Sequence, residues 1–306
     1  MEPKKVAFQG EVGSHHEGVT KQKFADEDIE MVYMASFSDV YTAVANGTVD
    51  QAIVAVGNTN ITSISDSTDA LLTGRFYVRD DIFYEVKHSL GGVEGATIEG
   101  AREIHSNVHA LRQCTALFKR LPGVLAVPET DTAKSARQVK AAGDVGILAI
   151  ASAEALEVNG LVTVEADVQD PHNYTRFMVV EKLNGQRPRV GHTRTTMLIT
   201  INNTPKSLAD ALAVFGEDNI DLSLIETPGV TAGHPRTRVL VEVKAGLYNR
   251  AMQSAMGRLV ADGTVKVRFI GSYNGDELPA GEYSSEEWEE PETNINIEEF
   301  VASLEM

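Results

Sequence analysis

The feature that most constrains this 306-residue chain is an alternation of short apolar runs with segments of helical period. Runs at 6–9, 31–34 and 51–56 read as buried strands, and 38–46 reads as a helix capped by Ser38 and closed by Gly47. Between the first two runs lies Gly10-Glu11-Val12-Gly13-Ser14, a turn whose Ser14 is placed to cap a following helix. Strand, helix, strand, helix, strand predicts a parallel sheet. A second lobe starts near Ile82, with strands at 103–106, 124–127 and 145–150 and helices at 108–120 and 132–142. The chain then returns through 170–177 into a strand at 177–180. Two α/β lobes joined by crossovers ordinarily hold a small ligand in the cleft between them.

Residues 182–191 carry Gly, Pro and polar residues without a period and read as a linker. Beyond it, strands are predicted at 195–202, 220–227, 237–243 and 265–270, and helices at 207–215 and 248–259. This βαββαβ order is that of a ferredoxin-like unit. From Asp276 onward there are eleven acidic residues and no Lys or Arg, so this tail supplies most of the net charge of −17 and reads as a solvated segment. An acidic balance excludes a nucleic-acid backbone as partner, since phosphates need a basic face. No apolar run approaches the roughly 20 residues that span a bilayer. The N-terminus leads directly into the first strand, unlike a secretory signal. Cys114 is the only cysteine, which rules out an internal disulfide and a cysteine-rich metal site. A reducing cytoplasm is the expected compartment.

Candidate chemistry is concentrated in Asn173-Tyr174-Thr175-Arg176-Phe177. A threonine hydroxyl can donate a hydrogen bond to a leaving oxygen, and an arginine can fork onto a carboxylate. Upstream stand Gly143 to Ala153, then Asn159-Gly160-Leu161, then Asp170 and Asn173 at five and two residues before Thr175. His15 and His16 are adjacent, so on a helix they point in different directions; they make a poor metal pair, and one of them can face the cleft. Cys114 reads as a packed helix residue rather than a nucleophile.

This succession resembles the prephenate dehydratase family over residues 5–275: a strand running into Ala-Ser before a helix, a Gly-Leu, and an Asp-x-x-Asn-x-Thr-Arg-Phe block. Other blocks match in part. Gly10 to Ser14 keeps the glycines and hydroxyl of Gly-Pro-x-Gly-Thr. Asn58-Thr59 keeps the end of Pro-Ile-Glu-Asn-Ser, with Gly57 in place of the acid. Ser106 to Cys114 keeps the ends of Ser-His-Pro-Gln-Ala-Leu-x-Gln-Cys, with Asn107-Val108-His109 at its centre. Asp131-Thr132-Ala133 stands where the family has Ser-Thr-Ala.

The resemblance implies an α/β fold with a two-lobed, periplasmic-binding-protein-like catalytic domain over 1–183, its first lobe about 1–80 and 165–183 and its second about 81–164. A ferredoxin-like ACT domain over 192–275 and the acidic tail at 276–306 would follow. It implies a carbon–oxygen lyase that converts prephenate to phenylpyruvate in L-phenylalanine biosynthesis, with no metal or organic cofactor. Thr175 would assist the departing hydroxyl and Arg176 would bind a carboxylate, with Ser14, Asn58, Thr59, Thr132, Asn173 and Phe177 around the substrate. Pro205-Lys206-Ser207-Leu208 and Glu226-Thr227-Pro228-Gly229 stand where ACT domains hold an amino acid. Ser207, Leu208, Glu226 and Thr227 would then contact L-phenylalanine, with Lys206 replacing a glycine. A homodimer or homotetramer is the implied assembly. The departures at Gly57 and 107–109 leave open a related acid such as arogenate, decarboxylation alone, or a non-catalytic sensor of aromatic metabolites.

Overall fold

The computed structural model describes residues 2–60, 65–227, 235–261 and 263–279. Its first lobe is built on β1 (Lys4–Gln9), β2 (Ile29–Met34) and β3 (Gln51–Asn58), parallel with β1 in the middle. The helices α1 (His15–Lys23), α2 (Phe37–Asn46) and α3 (Ser65–Thr73) connect them and follow them. Ser14 caps α1, as the sequence predicts. The cap of α2 is Ser36, not Ser38: its hydroxyl accepts from the Asp39 amide at 3.1 Å, and its extended backbone lets Phe37 open the first turn.

Ile82 does not begin the second lobe. It lies inside β4 (Phe76–Glu85), which pairs antiparallel along its length with β10 (Tyr174–Lys182). The polar run Arg79-Asp80-Asp81 hides this strand in the sequence, because Asp81 is a charge buried within it. The second lobe therefore starts after Glu85. It is a five-stranded sheet of β5 (Ser89–Gly92), β6 (Glu103–Asn107), β7 (Leu125–Glu129), β8 (Ile147–Ala151) and β9 (Val162–Glu165), in the order β7-β6-β8-β5-β9. The predicted helix at 108–120 is two short ones, α4 (Val108–Arg112) and α5 (Thr115–Arg120). Asp170, on the returning chain, causes the break. Its carboxylate accepts from the amides of Thr115 and Ala116 at 2.9 Å, and its own amide donates to the Gln113 carbonyl at 2.7 Å. Two further helices, α6 (Thr132–Ala142) and α7 (Ala153–Val158), complete the lobe.

The C-terminal unit runs β11 (Arg194–Asn202), α8 (Ser207–Glu217), β12 (Leu222–Glu226), β13 (Arg236–Val243), α9 (Arg250–Val260) and β14 (Lys266–Tyr273), the βαββαβ order read from the sequence. It does not stand apart from the first lobe. β14 meets β4 in parallel at one register pair, Gly271 with Val78, giving a nine-stranded sheet β12-β13-β11-β14-β4-β10-β3-β1-β2. Only glycine fits there, because a Cβ on Gly271 would lie 2.3 Å from the Val78 carbonyl oxygen. Leu198, Leu240, Ile270 and Tyr273 of the C-terminal strands share one core with Val54, Val78, Met178 and Val180, so the sheet folds over on itself at this junction.

Four charges are sealed into that seam. Arg176 Nη2 lies 2.5 Å from Asp81 Oδ2 and 2.8 Å from Glu242 Oε2, and Arg194 Nη1 lies 3.0 Å from Asp81 Oδ2. Thr196 and Tyr273 each donate to Glu242 Oε2 at 2.9 Å, and Ser223 donates to Oε1 at 2.8 Å. Burial raises the Glu242 carboxyl, but the Arg176 charge outweighs it and holds the group below the ordinary range. The start of the acidic tail is seated here too: the Asp276 amide donates to Asp81 Oδ1 at 2.7 Å and Glu277 meets Arg194 at 3.1 Å. The rest of the tail, from residue 280 onward, lies outside the described residues.

With both acids fully buried, removing one strands the arginines. Asp81→Ala is expected to cost about 3–5 kcal/mol in urea denaturation, the penalty of breaking a buried pair. A loss under about 1 kcal/mol, the scale of an exposed pair, would show that the cluster does not hold the seam.

Candidate active site

The two lobes are joined by two crossovers, near Val86–His88 and near 166–173. They are stitched to each other by backbone and side chains. The Val86 amide donates to the Asn173 carbonyl at 2.8 Å, and Asn173 Nδ2 returns a bond to the Val86 carbonyl at 2.9 Å. The Val168 amide donates to the His88 carbonyl at 2.9 Å.

A chain of polar side chains runs through this hinge. His15 Nε2 lies 3.2 Å from His88 Nδ1, and His88 Nε2 lies 2.7 Å from Gln113 Oε1. Asn173 Nδ2 reaches the same Gln113 oxygen at 3.3 Å. Asn58 Nδ2 donates both to Asn173 Oδ1, at 2.8 Å, and to Thr175 Oγ1, at 2.9 Å. One assignment satisfies every link: both imidazoles neutral and protonated on Nε2, each donating toward Gln113. Burial pushes His88 down to about 4, and it lowers His15 well below the ordinary histidine value, with the neighbouring His88 as second cause.

Thr175 ends this chain as an acceptor. Its hydroxyl takes the Asn58 bond at 2.9 Å and donates to no described residue. Asn58, Asn173 and Thr175 thus come together as the sequence places them, all nearly buried.

The other expected residues fall elsewhere. Successive residues of a strand face opposite ways. Arg176 therefore points away from Thr175 into the seam, where Asp81 and Glu242 bind it, and the expected fork onto a substrate carboxylate is not what this geometry presents. Gly57 is its cross-strand partner, so the missing family acid would also face the seam and not the cleft. Phe177 is core, edge-on to His16 at 5.1 Å between ring centroids. The Thr59 hydroxyl bonds the His172 carbonyl and accepts from the Tyr174 amide at 2.9 Å, which fastens the end of β3 to the start of β10.

Ser14 is 4% exposed and spends its oxygen on the Glu17 amide at 3.4 Å. Thr132 opens α6, whose cap is Asp131, accepting from the Lys134 amide at 2.9 Å. It is Asp131 that lines the 640 Å³ cleft between the lobes, with Gly10, Glu11, Tyr33, Lys134 and Arg137. Burial raises the Asp131 carboxyl. The cleft is closed at one side by the Gly10–Ser14 turn. There Gly13 has φ 84°, a Cβ on it would lie 2.7 Å from the Ala155 backbone, and its carbonyl accepts from the Ser152 hydroxyl at 2.5 Å. Glu11 and Arg137 form a forked pair across the lobes at 2.9 and 3.1 Å.

In the C-terminal unit the expected effector residues do not form one cluster. Ser207 bonds the Thr204 hydroxyl at 2.5 Å, Leu208 is 39% exposed, and Glu226 lines a cavity on the inner face of the strands. Thr227 is exposed, and Pro228 and Gly229 lie outside the described residues. Lys206 adopts φ 70°, the left-handed conformation that a glycine would supply at less cost.

Sequence reasoning missed His88 and Gln113. Gln113 stood in the matching end of the Ser106–Cys114 block, but nothing in the sequence places His88 beside it. Of the histidine pair, His15 enters the chain and His16 packs into the core against Phe37 and Phe177. Cys114 is fully buried, and burial pushes its thiol up to about 12.

Two α/β lobes thus meet at a cleft and share a polar hinge that ends on the Thr175 hydroxyl. A family model described as prephenate dehydratase matches residues 6–184, more than half of the chain, and the chain belongs to that family. It is 29% identical over 241 residues to a bifunctional N-acyl-homoserine lactone acylase/prephenate dehydratase of Komagataeibacter europaeus, covering 78% of this chain and 85% of that one. It is 30% identical over 228 residues to arogenate dehydratase/prephenate dehydratase 1, chloroplastic, of Arabidopsis thaliana, covering 73% of this chain and 56% of the plant protein. Among solved structures, prephenate dehydratase from Arthrobacter aurescens in complex with L-Phe shares the fold at a TM-score of 0.77 and 20% identity, over 98% of this chain and 99% of that one. Among the described residues no helix is long and apolar enough to cross a membrane.

The neutral hinge predicts an acid limb in stability. His88 titrates near 6.5 when unfolded and near 4 when folded, so between those values the unfolded chain binds the extra proton. Stability therefore falls as pH drops through that window. The melting temperature is expected to decline from pH 6.5 toward pH 4, with a shallower decline in His88→Gln; equal slopes in the two proteins would refute the assignment.

Proposed function

We propose that this chain is a prephenate dehydratase of L-phenylalanine biosynthesis, acting in the cytoplasm. The observation that carries this reading is the Thr175 hydroxyl, which accepts from Asn58 and donates to no described residue. In the reaction the bond from the ring to its carboxylate breaks, and carbon dioxide leaves. The electron pair enters the ring, which becomes aromatic, while the carbon–oxygen bond to the 4-hydroxyl breaks and hydroxide departs. Thr175 donates to that oxygen as charge builds on it, and Asn58 and Asn173 fix the direction of the donated bond. Neutral donors suit the departing carboxylate, because a cation upon it would stabilise the ground state.

A second reading within the same chemistry is favoured by one feature. The cleft wall carries Asp131, and a carboxylate in that position suits the ammonium of arogenate better than the keto group of prephenate. Two relatives named as arogenate dehydratases, or as acting on both substrates, are consistent with it.

The C-terminal βαββαβ unit is read as an ACT domain that senses L-phenylalanine in a homodimer or homotetramer. The bound L-Phe in the Arthrobacter structure supports this reading.

Thr175→Val keeps the strand side chain and removes the hydroxyl. It is expected to lower kcat for phenylpyruvate formation by about a hundredfold or more with KM little changed. A rise in KM at unchanged kcat would refute the role given to Thr175.

A further inference from the structure

A second cavity, of 330 Å³, lies between the first-lobe sheet and the inner face of the C-terminal strands. Its walls are mostly apolar: Val56, Leu71, Met178, Leu224, Ile225 and Leu240. Arg176 also lines it, and two facts set that side chain apart. In the β3–β10 pairing its partner is Gly57, so the strand position opposite the guanidinium carries no side chain. Its hydrogens are also unevenly used. Nε and Nη2 bond Asp81, Glu242 and Tyr273, whereas Nη1 makes no hydrogen bond to any described residue.

A guanidinium N–H pair at the wall of an apolar cavity matches one carboxylate on an apolar body. The volume is at the lower end of small-ligand pockets, about 300–1,000 Å³, which suits a single aryl group with a short chain. We propose that this cavity binds a monocarboxylate with an aryl-sized apolar body, at a site separate from the interlobe cleft. Its occupancy reaches the hinge through one peptide: Arg176 follows Thr175 on β10, so a ligand that pulls on the guanidinium bears on the strand that presents the hydroxyl.

Isothermal titration of the full chain with 3-phenylpropionate tests this, with phenylsuccinate as the dicarboxylate comparison. One saturable site is expected, weaker for the dicarboxylate and not displaced by prephenate. Two variants act from opposite walls. Gly57→Glu sets a carboxylate opposite Arg176, and Leu224→Trp fills the apolar end; each is expected to weaken binding at least about tenfold, or 1.4 kcal/mol. Val190→Ala, at an exposed position that does not line the cavity, is expected to leave binding unchanged. Absence of saturable heat at millimolar ligand, displacement by prephenate, or unchanged affinity in whichever cavity variant folds would overturn the proposal.

Discussion

The pleat of one strand organises this protein. Thr175 and Arg176 are adjacent on β10, and strand geometry sends them to opposite faces of the sheet. On one face Thr175 joins Asn58 and Asn173 at the hinge between the lobes. On the other, Arg176 joins Asp81, Arg194 and Glu242 beneath the C-terminal strands. A motif that looks in sequence like two neighbouring catalytic groups is, in three dimensions, one group at the hinge and one in the seam.

The two faces bury polar groups in different ways. The hinge is neutral: two imidazoles, three amides and a hydroxyl satisfy one another without a formal charge, which keeps desolvation small and fixes the direction of every bond. The seam is charged but balanced, two arginines against two acids, with hydroxyls from Thr196, Ser223 and Tyr273 completing the acceptors. A balanced seam lets the C-terminal unit be held by charge without imposing a field on the site. The two faces share β10, on which Thr175 and Arg176 are neighbours.

The strand–helix alternation and the βαββαβ order were legible because apolar period and turn residues mark them directly. The trio Asn58, Asn173 and Thr175 was legible as well, since each sits in a family block at the end of a strand. What escaped did so for physical reasons. Asp81 broke the apolar pattern of β4, since a charge buried by tertiary pairing cannot be told from an exposed one in sequence. The break between α4 and α5 is imposed by Asp170, more than fifty residues away in the chain. The direction of Arg176 follows from strand alternation, which was available, but the pull of the family motif set both residues in one site. His88 is recruited by a crossover and has no local signal.

The most direct test is a crystal structure of the full chain with a ring-saturated analogue of prephenate, which keeps the hydroxyl and both carboxylates but cannot aromatise. The account predicts the ring hydroxyl within ordinary hydrogen-bond distance of Thr175 Oγ1, about 2.7–2.8 Å, with Arg176 still bound to Asp81 and Glu242. An Arg176 turned out of the seam onto an analogue carboxylate, with the Thr175 hydroxyl donating to the protein, would contradict it.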